Sequence, residues 1–116
     1  MYNWTEIDTN NVIKFIDGGK VDSKLWLIIE PKLDRLIERL LNTYFIYNAS
    51  EFDYILTDVK VDLYLKLEKF DNTRGNVFNF LTTLSLNILR NRFKKENRIK
   101  ERFVDQDITE ILYGEN

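Results

Sequence analysis

The sequence predicts an all-α fold, a compact bundle of four to five helices. Apolar residues recur at spacings of three and four along three long segments, the mark of helices burying one face. Short clusters of Gly, Asp, Asn and Ser separate those segments and supply turn chemistry. The chain has 116 residues, of which 44% are apolar and 31% charged, enough for one core of three or four helices and too few for two. Residues 1–103 form the helical domain, and 104–116 read as a separate acidic and hydrophobic tail.

In order along the chain, Asp8 or Thr9 is placed to cap a short helix carrying Val12, Ile13, Phe15 and Ile16, which Gly18-Gly19 ends. Asp22-Ser23 offers the next cap, before a helical segment from Leu25 to Tyr47 with Leu33, Leu36, Ile37, Leu40, Leu41 and Tyr44 on its apolar side. Pro31 lacks the N–H that an interior turn uses, so a kink or restart is expected there, with the chain keeping its direction. The Trp26-Leu27-Ile28-Ile29 run is assigned to the core, with Trp4 against it.

After a turn at 47–50, Ser50 and Asp53 resemble a capping box that opens a third helix, up to Phe70. Phe52, Ile55, Leu56, Val59, Leu63, Leu67 and Phe70 fall on one side of it, a complete core stripe. The opposite side is not plainly polar. It carries Tyr54, Thr57, Asp58, Val61, Tyr64 and Leu65, a mixed face suited either to a partner or to burial on both sides within the bundle.

A turn at 71–76 leads to Asn76, which can cap a fourth helix through about Lys100. Phe78, Leu81, Ser85, Ile88, Leu89 and Arg92 form its mostly apolar side. A second line runs Phe80, Thr83, Asn87, Asn91, Lys94 and Arg98, with Arg90 and Lys95 beside it. Aromatics stack on unpaired bases, amides read base edges and cations hold phosphates, so this line suits nucleic acid. Seven basic residues between Arg90 and Arg102 face only Glu96 and Glu101, a local charge of +5 in a chain of −2, which leaves −7 elsewhere. A basic stripe on an acidic body binds a polyanion at one place while avoiding general adhesion, although a solvated helix end has the same composition.

The absence of cysteine and histidine removes thiolate and imidazole metal sites, disulfides, cysteine nucleophiles and histidine bases. There is no compact Asp/Glu cluster at metal spacing and no glycine-rich phosphate cradle, so no cofactor and no enzymatic role are expected. No charged leader precedes an apolar stretch, and the longest apolar runs are too short to span a bilayer, so an intracellular protein without membrane contact is expected.

The stretch Leu67-Glu68-Lys69-Phe70-Asp71-Asn72-Thr73-Arg74-Gly75-Asn76-Val77-Phe78 resembles the junction of the second and third conserved segments of bacterial sigma factors. The nearer likeness is to the late-transcription sigma factors of T-even-like phages, through Thr82, Asn87 and Arg92-Phe93-Lys94-Lys95-Glu96. Tyr2-Asn3-Trp4 and Ile111-Leu112-Tyr113 add echoes at the two ends.

The resemblance implies a sigma region 2-like domain in the cytoplasm of a bacterial host, associated with the nucleoid. Its third helix would dock on the clamp coiled coil of the RNA polymerase largest subunit, at Tyr54, Thr57, Asp58 and Tyr64, with Val61 and Leu65 on the same face. Its fourth helix would recognise and melt an AT-rich upstream promoter element, adding Arg74 to the DNA-facing line. Ile108, Ile111, Leu112 and Tyr113 would grip a sliding clamp, with a coactivator as a further partner. Two departures stand out. Leu84-Ser85 replaces the adjacent tryptophans of primary sigma factors, and Thr57-Asp58 replaces their Gln-Glu pair, so strand opening would fall to Phe80 or depend on a coactivator. The competing expectations are a phage polymerase-binding inhibitor or coactivator without promoter specificity, and a magnesium enzyme built on Asp53, Asp58, Asp62 and Asp71.

Overall fold

The computed structural model describes residues 3–71, 73 and 75–100. They form four helices, α1 (Glu6–Asp17), α2 (Ser23–Tyr44), α3 (Phe52–Lys66) and α4 (Val77–Lys94), with single 3-10 turns at Ala49–Glu51 and Leu67–Lys69. There is no strand among the described residues, only one antiparallel bridge between Phe45 and Ile99. The α2 helix packs against the other three, and the core is centred on it: Leu33, Ile37 and Leu41 are fully enclosed together with Leu63 of α3 and Leu81, Leu86 and Leu89 of α4. None of the described helices is long and apolar enough to cross a membrane.

Helix starts follow side-chain chemistry that satisfies free backbone N–H groups. The first cap is Thr5, three residues before Asp8 and four before Thr9, the two expected candidates: Thr5 and Asp8 form a reciprocal capping box, with Thr5 N donating to Asp8 at 2.8 Å. Likewise Asn48 and Glu51, not Ser50 and Asp53, make the box that opens the turn before α3. Asp22 caps α2, and Asn76 caps α4 as its chemistry suggests, accepting from Asn79 N at 2.8 Å.

Of the kink or restart expected at Pro31 there is no restart, for α2 runs through it as one helix. It costs one hydrogen bond at an exposed position where water can serve the freed carbonyl, while six buried side chains hold the helix on both sides of it. Within the Trp26–Ile29 run only Ile29 is buried. Trp26 is half-buried, whereas Leu27 and Ile28 face outward, because one side of a helix cannot hold four consecutive residues. Trp4 does pack on the core, with its ring 5.5 Å from that of Phe78 and its indole N–H on Thr9.

The largest difference from expectation is the end of α4. The helix stops at Lys94 rather than Lys100: Asn97 adopts φ +54°, and Arg98 N reaches back to Phe93 O, closing the helix end. Residues 98–100 then run beside 44–46, with Ile46 N on Arg98 O and Lys100 N on Tyr44 O, both at 2.8 Å. Phe93 seals this corner, fully buried with its ring 5.1 Å from Phe45. Helix α3 also ends early, at Lys66, so that Leu67 and Phe70 contribute to the core from a 3-10 turn and its exit.

Candidate partner surfaces on α3 and α4

Ile55, Val59 and Leu63 turn α3 inward, which leaves Tyr54, Val61 and Leu65 facing solvent at 65%, 53% and 57% exposure, with Thr57 and Asp58 exposed among them. Five of the six residues of the mixed face therefore share one open surface. The sixth does not. Tyr64 is half-buried against Trp26, edge to face at 5.4 Å, and its hydroxyl donates to Lys20 O at 3.1 Å. The Lys20 ammonium lies 4.7 Å from the same ring and bonds Tyr64 O and Glu68. Tyr64 closes the α2–α3 seam, a position the helical period places next to the outer face rather than on it.

Beside it, Lys60 bridges Glu30 and Asp34 of α2 at 2.8 and 3.0 Å. Burial pulls the Lys60 pKa down, and the bonds to Glu30 and Asp34 outweigh it, so the pKa stands above the ordinary lysine value. On the other flank Arg92 of α4 holds Asp58 at 2.7 Å and lies 4.8 Å from the centre of the Tyr54 ring. Arg92 has the core side of α4 by spacing alone. Its long side chain carries the guanidinium out of that side to the edge of α3.

On α4, Phe80, Thr83 and Asn87 line a cleft of about 390 Å³ together with Phe70, Asn76 and Leu84. Phe70 and Phe80 pack at 5.2 Å and 53°, and Asn76, Asn79 and Asn87 line the same cleft. The Thr83 hydroxyl is enclosed there without a hydrogen-bond partner among the described residues. Such a cleft offers aromatic and amide groups, the kinds of group that hold an unstacked base. Asn76, Asn79 and Phe70 belong to it too: Asn79 lies on α4 one turn before Thr83, whereas spacing along one helix could not find Asn76 and Phe70, which come from the cap and the preceding turn.

The basic end divides. Asn91, Lys94 and Lys95 are exposed in line with the cleft residue Asn87. Arg90 is half-buried and engaged within the fold. Arg98 leaves the line altogether: it binds both carboxylate oxygens of Glu51 at 3.0 and 2.8 Å, reaches Glu96 at 2.8 Å and covers the Phe93 ring at 4.6 Å. The bond from Arg98 and the N–H of Asn48 hold Glu51 below the ordinary glutamate range, and Arg98 is raised in turn, first by its bond to Glu51. Arg98 departs from the expected line because the helix ends before it, and the reversal at Asn97 sends it back toward α3.

Arg74 and the tail residues Ile108, Ile111, Leu112 and Tyr113 lie outside the described residues. Asp53, Asp58, Asp62 and Asp71 are no exception to a general feature: no group of three or more carboxylates among the described residues is arranged to hold a metal ion. Comparison with known proteins finds no matching family model, no matching curated protein and no matching solved structure.

Proposed function

We propose that this chain is a transcription initiation factor of the late sigma type found in T-even-like phages, with a sigma region 2-like domain that binds bacterial RNA polymerase core and directs recognition and melting of an AT-rich upstream promoter element. The observation that carries the reading is the outer face of α3, where Tyr54, Val61 and Leu65 stand exposed opposite a complete core stripe. Exposed apolar groups at helical spacing on a well-packed helix suit a helical partner, the chemistry of a polymerase clamp coiled coil. The Phe80, Thr83 and Asn87 cleft with exposed Asn91, Lys94 and Lys95 beyond it supports single-strand capture on the neighbouring helix. The tail, through Ile108, Ile111, Leu112 and Tyr113, takes the sliding-clamp role by resemblance.

Run-off transcription with core polymerase, with and without this chain, tests the reading. Promoter-directed transcripts that appear only with the chain are expected, and core polymerase that neither binds it nor changes its products refutes it. A second reading, a polymerase-binding coactivator or inhibitor, draws support from Arg92 and Arg98, which are committed to Asp58 and Glu51 and so thin out the basic line. That reading predicts co-purification with core and no sequence-specific DNA contact.

A further inference from the structure

Arg92 belongs to two surfaces at once. Its guanidinium pairs with Asp58 at 2.7 Å and lies over Tyr54, two residues of the open α3 face, while its backbone sits in the last turn of α4 between exposed Asn91 and exposed Lys94. Neither partner is deeply enclosed, with side-chain exposures of 27% for Arg92 and 47% for Asp58. A half-exposed pair of this kind exchanges readily, because its Coulomb attraction is weakened by solvent. Burial pulls the Arg92 pKa down and hydrogen bonds to Asp58 and Tyr54 outweigh it, and a guanidinium keeps its charge with or without those partners.

We infer that Arg92 is a shared charge that couples the two surfaces: it is held by Asp58 in the free chain and passes to a nucleic-acid phosphate when a partner on α3 takes Asp58 and Tyr54. The inference rests on the proposal that α3 docks a protein and α4 meets DNA. The swap is balanced in charge. A basic group on the partner replaces Arg92 at Asp58, and the freed guanidinium joins Lys94 and Lys95 at the end of α4. The coupling is reciprocal, so DNA on α4 strengthens docking on α3 by the same factor.

The test uses the full chain and a fluorescein-labelled AT-rich single strand, with anisotropy recorded over a salt series. Asp58→Asn mimics the loss of the pairing charge. It should steepen the fall of log K with log salt by about 0.7, the contribution of one added phosphate contact on single strands. A fourfold rise in salt then costs this variant roughly 2.6-fold more affinity than the wild type. Asp53→Asn makes the same change of net charge on exposed α3 surface away from Arg92 and should leave the slope unaltered. Adding Arg92→Gln to Asp58→Asn should return the slope to that of the wild type. Circular dichroism confirms that each variant keeps its helices. The inference is overturned by equal slopes for Asp58→Asn and Asp53→Asn, by a gain that survives Arg92→Gln, or by no binding of any variant at the lowest salt. Failure of the functional proposal is seen separately, as loss of wild-type association with core polymerase.

Discussion

Replacing Lys94 and Lys95 together by Ala should change DNA binding in a way that replacing Arg98 does not. Both lysines are exposed in line with the cleft residue Asn87, free to follow a phosphate backbone, whereas the Arg98 fork is closed on Glu51 and Glu96 and packed on Phe93. Each phosphate contact contributes about 0.7 to the slope of log K against log salt on single strands and about 0.9 on duplex. Losing two contacts therefore flattens the slope by about 1.4 or about 1.8. Over a fourfold rise in salt, the wild type should lose roughly 7-fold more affinity than the double variant on single strands and roughly 12-fold more on duplex.

Arg98→Ala should leave the slope as it is and lower the melting temperature, since it unties the reversal after α4 from the start of α3. Filter binding of holoenzyme assembled with each variant, on promoter and non-promoter DNA at several salt concentrations, gives the slopes, and thermal denaturation of the free chain gives the stabilities. A shallower slope for Arg98→Ala at unchanged melting temperature would refute the assignment. An unchanged slope for the double lysine variant would refute it equally.

On α3, truncating Tyr54, Val61 and Leu65 to Ser should abolish co-purification with core polymerase at unchanged helical content. Tyr54 alone, as an interface anchor, should be worth about 2 kcal/mol, or roughly 30-fold in Kd. Phe80→Ala should spare closed-complex affinity and reduce promoter opening in permanganate footprints, because a ring face gains a base only after the duplex parts. The variant that opens promoters normally would remove Phe80 from the melting role. Acid should act through Glu51 and Glu68, whose pKa values are lowered chiefly by hydrogen bonds from Arg98 and Lys20. A depressed folded pKa means that stability is full above the ordinary glutamate value of 4.5 and is lost as pH falls through the lower folded values. A Glu51→Gln, Glu68→Gln variant should therefore be weaker than the wild type at neutral pH and lose less on acidification, as followed by circular dichroism.

The α3 surface was legible in the sequence because it depends on period alone: once Ile55, Val59 and Leu63 are set inward, Tyr54, Val61 and Leu65 have nowhere else to point. Asn76 was legible as a cap for the same local reason, and the Phe80, Thr83 and Asn87 line survives as one wall of the cleft. What local pattern could not supply came from distant partners. Nothing near Lys94 signals that Phe45 and Ile99 will pair, yet that pairing and the left-handed Asn97 end the helix and turn Arg98 away from the basic line. Tyr64 stands at the edge of the mixed face by angle, and Lys20 and Trp26 claim it from elements that periodicity within one helix does not see. Pro31 shows the converse, a local signal for a restart outweighed by the burial of Ile29 and Leu33 around it.

These long-range contacts also determine how α3 meets a partner. Lys60 is gripped by Glu30 and Asp34, Tyr64 by Lys20 and Trp26, and Asp58 by Arg92, so the helix is tied to α2 along one flank and to α4 along the other. Docking on such a helix pays little for ordering backbone, because the outer face is already held at fixed spacing, and the cost falls on a few exposed side chains. On the outer face, the Tyr54 ring is steadied from within the molecule by the Arg92 guanidinium. A partner that displaces Arg92 must therefore offer its own cation over that ring as well as at Asp58, whereas a purely apolar partner would bind Val61 and Leu65 and leave the pair intact. The two kinds of partner are separable by Arg92→Gln, which should strengthen docking of the first, by removing its competitor, and leave the second nearly unchanged. Isothermal titration with core polymerase distinguishes them, and weaker docking of Arg92→Gln would instead mean that Arg92 serves the interface by holding Tyr54 and Asp58 in place.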